Sequence, residues 1–295
     1  NRPDADVHLL ITGTQTNTIA IAHFLRPYEA VIATDLGHIS VHETGAIEAT
    51  GHKIIEMESK DGLLTTEMID AAIIKHADEH WVLPKLVYIS NATETGTIYT
   101  KSMLEALRNA CDKHGLYLYL DGARLANALM CEDNDMTIED VANLTDAFTI
   151  GGTKNGILFG EALVVTNKHL KEHLRFSIKQ RGALLAKGRL LGAQFKALFE
   201  DDLYFEMAKH TNEMAAILKN GILELGYELI TNPSTNLIFT VLPNSVHSKL
   251  SKYCYYEAEH PYDENNMIAR FVTSWATLKE DVLEFLRLLK ELKDF

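Results

Sequence analysis

Short apolar runs alternate with helix-like segments along the first 166 residues, and this alternation constrains the fold more than any other feature of the sequence. Ala30–Thr34 has the apolar, β-branched composition of a buried strand. Lys101–His114 has apolar residues at helical spacing and is closed by Gly115, and Thr65 begins a similar segment. Strands that alternate with helices usually form a parallel sheet. The sequence therefore predicts an α/β fold in which helices cover both faces of a mostly parallel sheet.

The pattern changes after Lys168. His169–Phe199 and Leu203–Leu225 have the apolar spacing of long helices, and strand-like runs such as Tyr227–Ile230 follow. We expect a large ligand-binding domain over residues 1–200 and a smaller C-terminal α+β domain over 201–295. Within the first part, Val41–Thr50 is predicted to be helical. The chain begins without Met, so we interpret it as lacking the N-terminal part of the large domain.

Composition excludes several classes of protein. A chain of 295 residues that is 46% hydrophobic can bury a large core. Its net charge of −13 argues against a nucleic-acid partner, because phosphate neutralisation requires clustered Lys and Arg. No apolar run approaches the roughly 20 residues that span a bilayer. The three cysteines are far apart and show no metal-type spacing, so we predict a reduced, cytoplasmic protein without a membrane partner.

Lys154 is the residue with the clearest chemical meaning. It follows an apolar run and lies among Gly151, Gly152 and Gly156, where a flat ligand can approach the backbone. A lysine in this setting can form a Schiff base with an aldehyde. Asp121 follows another strand-like run and could hold a pyridine nitrogen protonated. A Schiff-base lysine and an aspartate partner are together typical of pyridoxal 5′-phosphate (PLP) sites.

The segment Thr12-Gly13-Thr14-Gln15 lies between a strand-like run and a helix-like segment. Free N–H groups at a helix N-terminus favour a phosphate group, so Gly13, Thr14 and Gln15 are candidates to hold the phosphate of such a cofactor. An ordinary capped helix start has the same composition. In the same way, Asp121 could be an N-cap of the helix that follows it.

A metal site and a nucleotide-binding loop are weaker interpretations of two other motifs. His38 and His42 have the spacing of a zinc-binding pair on a helix, but the motif is not HExxH and a third ligand is not evident. We therefore predict no metal, and for His38 we expect stacking on an aromatic ligand. Gly151-Gly152-Thr153-Lys154 lacks the glycine spacing of a P-loop.

Taken together, the motifs make the chain similar to a known family over nearly its whole length. It resembles the threonine aldolase and aromatic amino-acid β-eliminating lyase family, which are PLP enzymes of the aspartate-aminotransferase fold. Six segments carry the resemblance in the family's order: Thr12–Asn17, His38 with Glu43–Ala46, Leu120–Arg124, Gly152–Gly156, Thr235–Phe239 and Arg270–Trp275.

The resemblance implies a role for each matching residue. Lys154 would form the Schiff base, Asp121 would pair with the pyridinium nitrogen, and His38 would stack on the ring. Arg124 would lie near the phenolic oxygen of the cofactor. Arg270 would bind the α-carboxylate of the substrate, a task that suits the fork of arginine.

The resemblance also implies a homodimer or homotetramer with active sites at a subunit interface. Lys187 or Arg189 falls near the position from which related enzymes send a basic residue into the neighbouring subunit's phosphate site. The expected substrate is a small amino acid.

The implied reaction is cleavage of a β-hydroxy-α-amino acid, such as L-threonine or L-allo-threonine, to glycine and an aldehyde. Glu94 stands near the place where threonine aldolases commonly have a histidine that contacts the substrate hydroxyl, and it could act as a base there. Thr153 replaces the family's serine. β-Elimination from an aromatic or cysteine-type amino acid is the alternative reaction. A non-catalytic protein that keeps the PLP fold is a third hypothesis.

Overall fold

A computed structural model describes residues 4–293 and contains two sheets. Seven strands form the larger sheet in the order β1-β7-β6-β5-β4-β2-β3, and three form the smaller one in the order β8-β10-β9. The strands are β1 (Asp6–Leu10), β2 (Glu29–Thr34), β3 (Ile54–Met57), β4 (Leu83–Ser90), β5 (Tyr117–Asp121), β6 (Ala147–Gly151), β7 (Glu161–Val165), β8 (Leu237–Pro243), β9 (Glu257–Pro261) and β10 (Asn266–Val272).

Helices surround both sheets. They are α1 (Gly13–Phe24), α2 (His38–Val41), α3 (Thr66–Lys75), α4 (Lys101–His114), α5 (Leu125–Leu129), α6 (Ile138–Leu144), α7 (Lys168–Lys171), α8 (Leu174–Gln180), α9 (Arg189–Phe199), α10 (Leu203–Glu224), α11 (Asn244–Leu250) and α12 (Lys279–Lys293). Short 3₁₀ turns occupy Glu48–Thr50, Thr153–Asn155 and Glu200–Asp202. None of these helices is long and apolar enough to cross a membrane.

The large sheet is mostly parallel, which confirms the predicted fold class. Strands β2 to β6 run parallel to their neighbours in that group, whereas β7 is antiparallel to both β6 and β1. Because side chains alternate along a strand, each strand contributes to two cores. Leu118 and Leu120 pack with the side of α3, α4 and α6, while Tyr119 faces the opposite core beside α1 and α8. Helices thus cover both faces.

The second, smaller core lies around the antiparallel sheet near the C-terminus. Residues of α10, α11 and α12 pack on β8 and β10, with Leu218, Ile238 and Leu289 among the buried side chains. This arrangement has the α+β character expected for the C-terminal part of the chain. The division into domains at residue 200 stays a prediction.

Several helix and strand boundaries predicted from the sequence are wrong. Val41–Thr50 is not one helix, because Thr44 and Gly45 have positive φ angles of 53° and 68°, which interrupt helical geometry. His169–Phe199 is divided into α7, α8 and α9, and positive φ angles at His173 and Gly182 mark the breaks. Tyr227–Ile230 forms a single bridge, Leu229 to Thr240, instead of a strand.

The topology brings the candidate motifs together at the carboxyl ends of the parallel strands in the large sheet. Strands β1, β4, β5 and β6 all end there, and the antiparallel strand β7 begins there. The segments that follow these strand ends begin at Ile11, Asn91, Gly122 and Gly152. In α/β sheets, ligands bind outside the carboxyl ends of the strands.

The loop after β4 is held tightly against the segment that precedes β8. Gly96 has a φ of +85°, and its carbonyl oxygen accepts hydrogen bonds from Ser234 N and Thr235 Oγ1. A Cβ on Gly96 would lie 2.7 Å from the carbonyl oxygen of Leu237 and 2.8 Å from Cβ of Pro233. The absence of a side chain therefore lets this loop reach the C-terminal part of the chain.

Replacement of Gly96 by alanine should destabilise the protein more than replacement of Gly115. Both glycines have positive φ, so alanine adds a strain of roughly 1–2 kcal/mol at either position. A Cβ on Gly115 meets nothing within 4 Å, whereas on Gly96 it meets backbone. We expect G115A to lower the Tm by about 2–4 °C and G96A by clearly more. Equal melting temperatures for the two variants would contradict the close contact.

Candidate active site

A cleft of about 640 Å³ opens at the carboxyl ends of the parallel strands and extends to the small sheet. It contains five of the residues predicted to form the site, which are His38, Glu94, Arg124, Lys154 and Arg270. Apolar side chains such as Leu36, Leu237 and Phe239 form much of the remaining wall. An apolar cleft with a few convergent polar groups is the usual form of a small-molecule site.

Asp121 is held at the end of β5 by three hydrogen bonds. Tyr88 Oη donates to Oδ2 at 2.7 Å, Asn17 Nδ2 donates to Oδ2 at 2.9 Å, and the Ala123 N–H donates to Oδ1 at 2.9 Å. Burial alone would raise the pKa of Asp121, but the bond from Asn17, the charge of His38 and the bond from Tyr88 outweigh it and lower the pKa. The carboxyl group is therefore a buried, permanently ionised group near neutral pH.

His38 belongs to the same network through Glu43. Its Nδ1 lies 2.8 Å from Glu43 Oε1, and Asn17 Nδ2 donates to that same oxygen at 2.7 Å. Burial acts to lower the pKa of His38, yet the Glu43 hydrogen bond and the charges of Asp121 and Glu94 raise it overall. Glu43 thus fixes both the orientation and the charge of the imidazole.

Asn17 and Glu43 belong to the hydrogen-bond network of the predicted site residues, and the sequence analysis assigned them no role. Asn17 is fully buried within α1, and Tyr119 Oη donates to its Oδ1 at 2.8 Å. Asn17 lies one turn after Gly13 on the same helix, which was a signal that it faces the same edge of the sheet. Glu43 was part of the segment Glu43–Ala46 that carries the resemblance, but its contact with Asn17 joins residues 26 apart in the chain.

Three acidic or imidazole groups approach one another closely enough to hold a metal ion. Ligand atoms of His38, Glu43 and Asp121 lie within 4.8 Å of one another. However, Asn17 Nδ2 donates to both carboxylates, and a donor in that position is suited to a hydrogen-bond network and would repel a cation. His42, the other histidine considered for zinc, packs against the His38 ring at a tilt of 52°, with centroids 5.5 Å apart.

Lys154 lies on the 3₁₀ turn after β6, and its side chain is accessible from the cleft. Its amine forms no hydrogen bond or ion pair with any residue between 4 and 293. The surrounding protein atoms and the positive charge of Arg124 lower its pKa to about 8. A lysine with this pKa supplies a neutral, nucleophilic amine near neutral pH far more readily than an ordinary lysine.

Arg124 follows Asp121 and lies beside Lys154. Burial and the nearby charge of Arg270 lower its pKa to about 10. Its Nε is buried and meets no hydrogen-bond acceptor in the described part of the chain. A buried donor without a partner is costly, so this atom is free to bind an acceptor on a ligand.

Glu94 reaches the cleft from the loop after β4. Ser90 Oγ and the backbone N–H of His38 donate to its Oε1 at 2.7 and 3.1 Å. Burial raises its pKa and Asp121 acts in the same direction, whereas the Ser90 bond opposes them. Glu94 is therefore a carboxyl group that exchanges a proton more readily near neutral pH than an exposed glutamate does.

Arg270 enters the cleft from β10 of the small sheet, where two glutamates of β9 contact it. Its Nη1 lies 2.8 Å from Glu257 Oε2 and 3.3 Å from Glu259 Oε1. Its Nε is buried without a partner among residues 4–293. Both glutamates contact Nη1, so a ligand carboxylate could accept hydrogen bonds from Nε and Nη2, which meet no acceptor among the described residues. Strand β9 is largely exposed and polar, which explains why its sequence gave no strand signal.

The candidate phosphate-binding residues are divided between two surfaces. Thr12 caps α1, because its Oγ1 accepts from the N–H of Gln15. Thr14 and Gln15 line an open groove together with Arg181, and they do not line the main cleft. Gly13 faces Glu161, and the N–H groups of Gly13 and Thr14 have no acceptor within the described residues. Unpaired N–H groups at a helix start favour an anion, so the predicted phosphate-binding role of Gly13, Thr14 and Gln15 stays a prediction.

Lys187 and Arg189 are exposed near the start of α9 and do not line the cleft of the single chain. Their predicted role requires a neighbouring subunit and stays a prediction.

Comparison with protein families decides the assignment. The Beta-eliminating lyase family matches residues 4–245. The chain belongs to this family. Within it, the predicted resemblance to threonine aldolases and β-eliminating lyases is confirmed by individual relatives, of which two are described next.

Among curated beta-eliminating lyase relatives, the low specificity L-threonine aldolase of a Pseudomonas species is 33% identical over 254 residues, which cover 84% of this chain and 70% of that protein. Among solved structures, a Leishmania major threonine aldolase is 52% identical, with a TM-score of 0.97 over 99% of this chain and 85% of that chain. Aspartate aminotransferase from Thermus thermophilus, at 16% identity and a TM-score of 0.70 over 97% of this chain and 75% of that chain, shares the fold.

Replacement of Glu43 by glutamine should lower the pKa of His38. The variant keeps the shape of the side chain but removes the charge that stabilises the imidazolium form. Histidine ring signals followed by NMR across the pH range would report this change. His23 serves as the internal control, since its pKa is set chiefly by burial at a distance from Glu43. An unchanged His38 titration would show that Glu43 does not control its charge.

Proposed function

We propose that the chain is a PLP-dependent carbon–carbon lyase that cleaves L-threonine or L-allo-threonine to glycine and acetaldehyde. The observation that carries this proposal is the convergence of Lys154, Arg124 and Arg270 on one cleft beside the buried carboxylate of Asp121. The two threonine aldolases described above support the choice of substrate, since one is 52% identical over almost the whole chain.

The residues present fit PLP. The Lys154 amine is unengaged, Arg124 Nε is a buried donor without a partner, and the free N–H groups at the start of α1 suit a phosphate. When bound, PLP supplies an electron-withdrawing pyridinium ring that stabilises negative charge at the substrate Cα. The roles below belong to the side chains of this protein.

Asp121 and His38 would set the charge of the ring environment. Asp121 is ionised and rigid, so it would hold a proton on the pyridine nitrogen. His38, oriented by Glu43, would lie against the ring face. Gly13, Thr14 and Gln15 would bind the phosphate, and Arg124 would donate a hydrogen bond to the phenolic oxygen.

Arg270 would bind the substrate α-carboxylate. Glu257 and Glu259 both contact its Nη1, so Nε and Nη2 would be the donors to the substrate. Binding of a carboxylate by the arginine fork fixes the orientation of the amino acid in the cleft. The substrate side chain would then lie on the side of Glu94.

Glu94 would act as the base of the cleavage. Its carboxylate would accept the proton of the β-hydroxyl group while the Cα–Cβ bond breaks and the β-carbon becomes the carbonyl carbon of acetaldehyde. Ser90 Oγ and the His38 N–H both donate to Oε1 of this carboxyl group, so neither of them occupies Oε2. The family's β-eliminating members favour an alternative in which Lys154 removes the Cα proton from an aromatic or cysteine-type amino acid.

We also propose that the protein acts on a small amino acid as a cytoplasmic homodimer or homotetramer. Cys111, Cys131 and Cys254 are free thiols, which suits a reducing compartment. Leu158, Phe176 and Leu190 are exposed apolar side chains at 84%, 75% and 60% of their surface. They lie on segments close in sequence to Lys154 and Lys187, and a second subunit would cover such a surface.

Replacement of Lys154 by alanine should abolish both covalent PLP binding and turnover. The variant removes the one amine placed in the cleft by the turn after β6. Absorbance spectra of the PLP-loaded protein and a glycine and acetaldehyde assay with L-threonine would measure the two effects. Lys168→Ala, an exposed lysine at the start of α7, is the matched control and should behave as the wild type.

Normal turnover in Lys154→Ala would exclude the proposed nucleophile. A wild-type protein that binds PLP through Lys154 but converts no amino acid would instead support the non-catalytic hypothesis.

Replacement of Glu94 by glutamine should reduce kcat for L-threonine by roughly 100-fold or more, because positioned bases contribute about 10²–10⁴-fold. The wild-type rate should fall at acid pH as Glu94 becomes protonated, with a midpoint above the ordinary range of a glutamate because burial raises its pKa. The variant should lose this acid limb while retaining its PLP absorbance.

Glu67→Gln, at an exposed glutamate of α3, is the control for the acid limb. Retention of the limb in Glu94→Gln would assign the base to another residue. Pyruvate and ammonia formed from a cysteine-type substrate at a higher rate than glycine from threonine would favour β-elimination.

A further inference from the structure

One buried acidic side chain near the cleft has no role in the proposed reaction. Glu161, the first residue of β7, is 6% exposed, and none of the residues from 4 to 293 forms a hydrogen bond or ion pair with its carboxyl group. A largely buried carboxyl group that no protein group binds is costly to ionise.

The position of Glu161 is fixed by the sheet. Its backbone pairs with Leu10 of β1 on one side and with Gly151 of β6 on the other. Leu10 leads into the start of α1, and Gly151 leads into the turn that carries Lys154. Glu161 therefore lies between the free helix N-terminus and the lysine.

The side chain is directed at the helix start. Its Oε1 lies 3.9 Å from the position that a Cβ would occupy on Gly13. Gly13 and Thr14 are the residues whose N–H groups have no acceptor within the described part of the chain. A phosphate bound by these groups would lie close to the Glu161 carboxyl group.

The groups around Glu161 favour its neutral form. Burial and the charge of Asp121 raise its pKa, Lys154 opposes them, and the net result is a pKa of about 8. Tyr119 and Tyr204 also face it, and both are uncharged phenols because burial raises their pKa values far above neutrality. Among residues 4–293, Lys154 is the cation that acts on this carboxyl group, and Asp121 is the anion.

A phosphate monoester carries about −1.5 to −2 charges at neutral pH. Two anions that share one helix N-terminus repel each other, and the repulsion is strong at a buried site. An ionised Glu161 and a bound phosphate are therefore in direct competition for α1.

We propose that Glu161 makes retention of the cofactor dependent on a proton: the phosphate of PLP binds to the start of α1 while the Glu161 carboxyl group is neutral. This inference rests on the proposed function for the identity of the ligand. Above about pH 8, where free Glu161 is ionised, binding takes up one proton. The affinity then falls by up to about tenfold per pH unit.

Pyridoxamine 5′-phosphate is the probe for this inference, because it carries the ring and the phosphate but has no aldehyde to react with Lys154. Its dissociation constant should be measured by calorimetry between pH 7.5 and pH 9.5, roughly above the second phosphate pKa of about 6. Measurements in two buffers of different ionisation enthalpy give the number of protons taken up.

Three proteins are compared: the wild type, Glu161→Gln and Glu29→Gln. Glutamine keeps the shape of residue 161 but does not ionise. Glu29 is equally buried, at 7% exposure, but it begins β2, at the end of the strands opposite the cleft. Lys154 titrates in all three proteins, so the difference between their pH slopes isolates Glu161.

We expect the wild type and Glu29→Gln to lose affinity for pyridoxamine 5′-phosphate above pH 8, with uptake of a proton. Glu161→Gln should lose much less affinity, so that at pH 9.5 it binds roughly tenfold or more tightly than the wild type. Equal slopes in all three proteins, or uniformly weaker binding by Glu161→Gln, would overturn the role of Glu161 and leave the proposed function intact. No binding by the wild type at any pH would remove the cofactor, and the inference with it.

The ligand-free protein supplies a second measurement. A carboxyl group whose pKa is raised on folding contributes stability below its unfolded pKa, and that stability is lost as the pH rises toward the folded pKa of about 8. Glu161→Gln should therefore melt at a higher temperature than the wild type at pH 9, which also shows that it folds. A lower Tm for the variant at pH 9 would contradict a neutral buried carboxyl group.

Discussion

The site depends on a single buried amide. Asn17 Nδ2 donates to Glu43 at 2.7 Å and to Asp121 at 2.9 Å, and so it allows two carboxylates to remain side by side in the interior. Without this donor the two groups would repel each other, and one would take up a proton. The same amide thus helps to keep Asp121 ionised and to hold Glu43, which orients His38. Tyr119, which donates to Asn17, connects the network to the core of the sheet.

The order of the elements and the identity of the central lysine could be predicted from the sequence, because both have local signals. Apolar runs and capping residues indicated the parallel sheet, and glycines around Lys154 indicated a close approach of backbone to a ligand. Asn17 and Glu43 could not be assigned, since their partners are brought together by folding across 104 and 26 residues. The broken helices between 168 and 199 depend on left-handed residues, such as His173, whose conformation has no strong sequence signature.

Two different cores supply the two ends of the cleft. Lys154 and Asp121 are fixed to the large sheet, whereas Arg270 belongs to β10 of the small sheet. The loop at Gly96 and the segment before β8 join these two parts by two hydrogen bonds to one carbonyl group. Substrate orientation would therefore depend on how rigidly the small sheet is attached, and a substrate held at both ends would itself strengthen that attachment.

Strand β1 lies at the edge of the large sheet and pairs with one neighbour, β7. Helix α1, where we propose that the phosphate binds, thus follows an edge strand, whereas Lys154 follows the more central strand β6. Edge strands exchange their amide hydrogens sooner than central strands, because fewer bonds must open. A ligand that bridges α1 and Lys154 would stabilise this edge of the sheet. Loss of the ligand would therefore loosen β1 first and expose it to proteolysis, while the central strands stay folded.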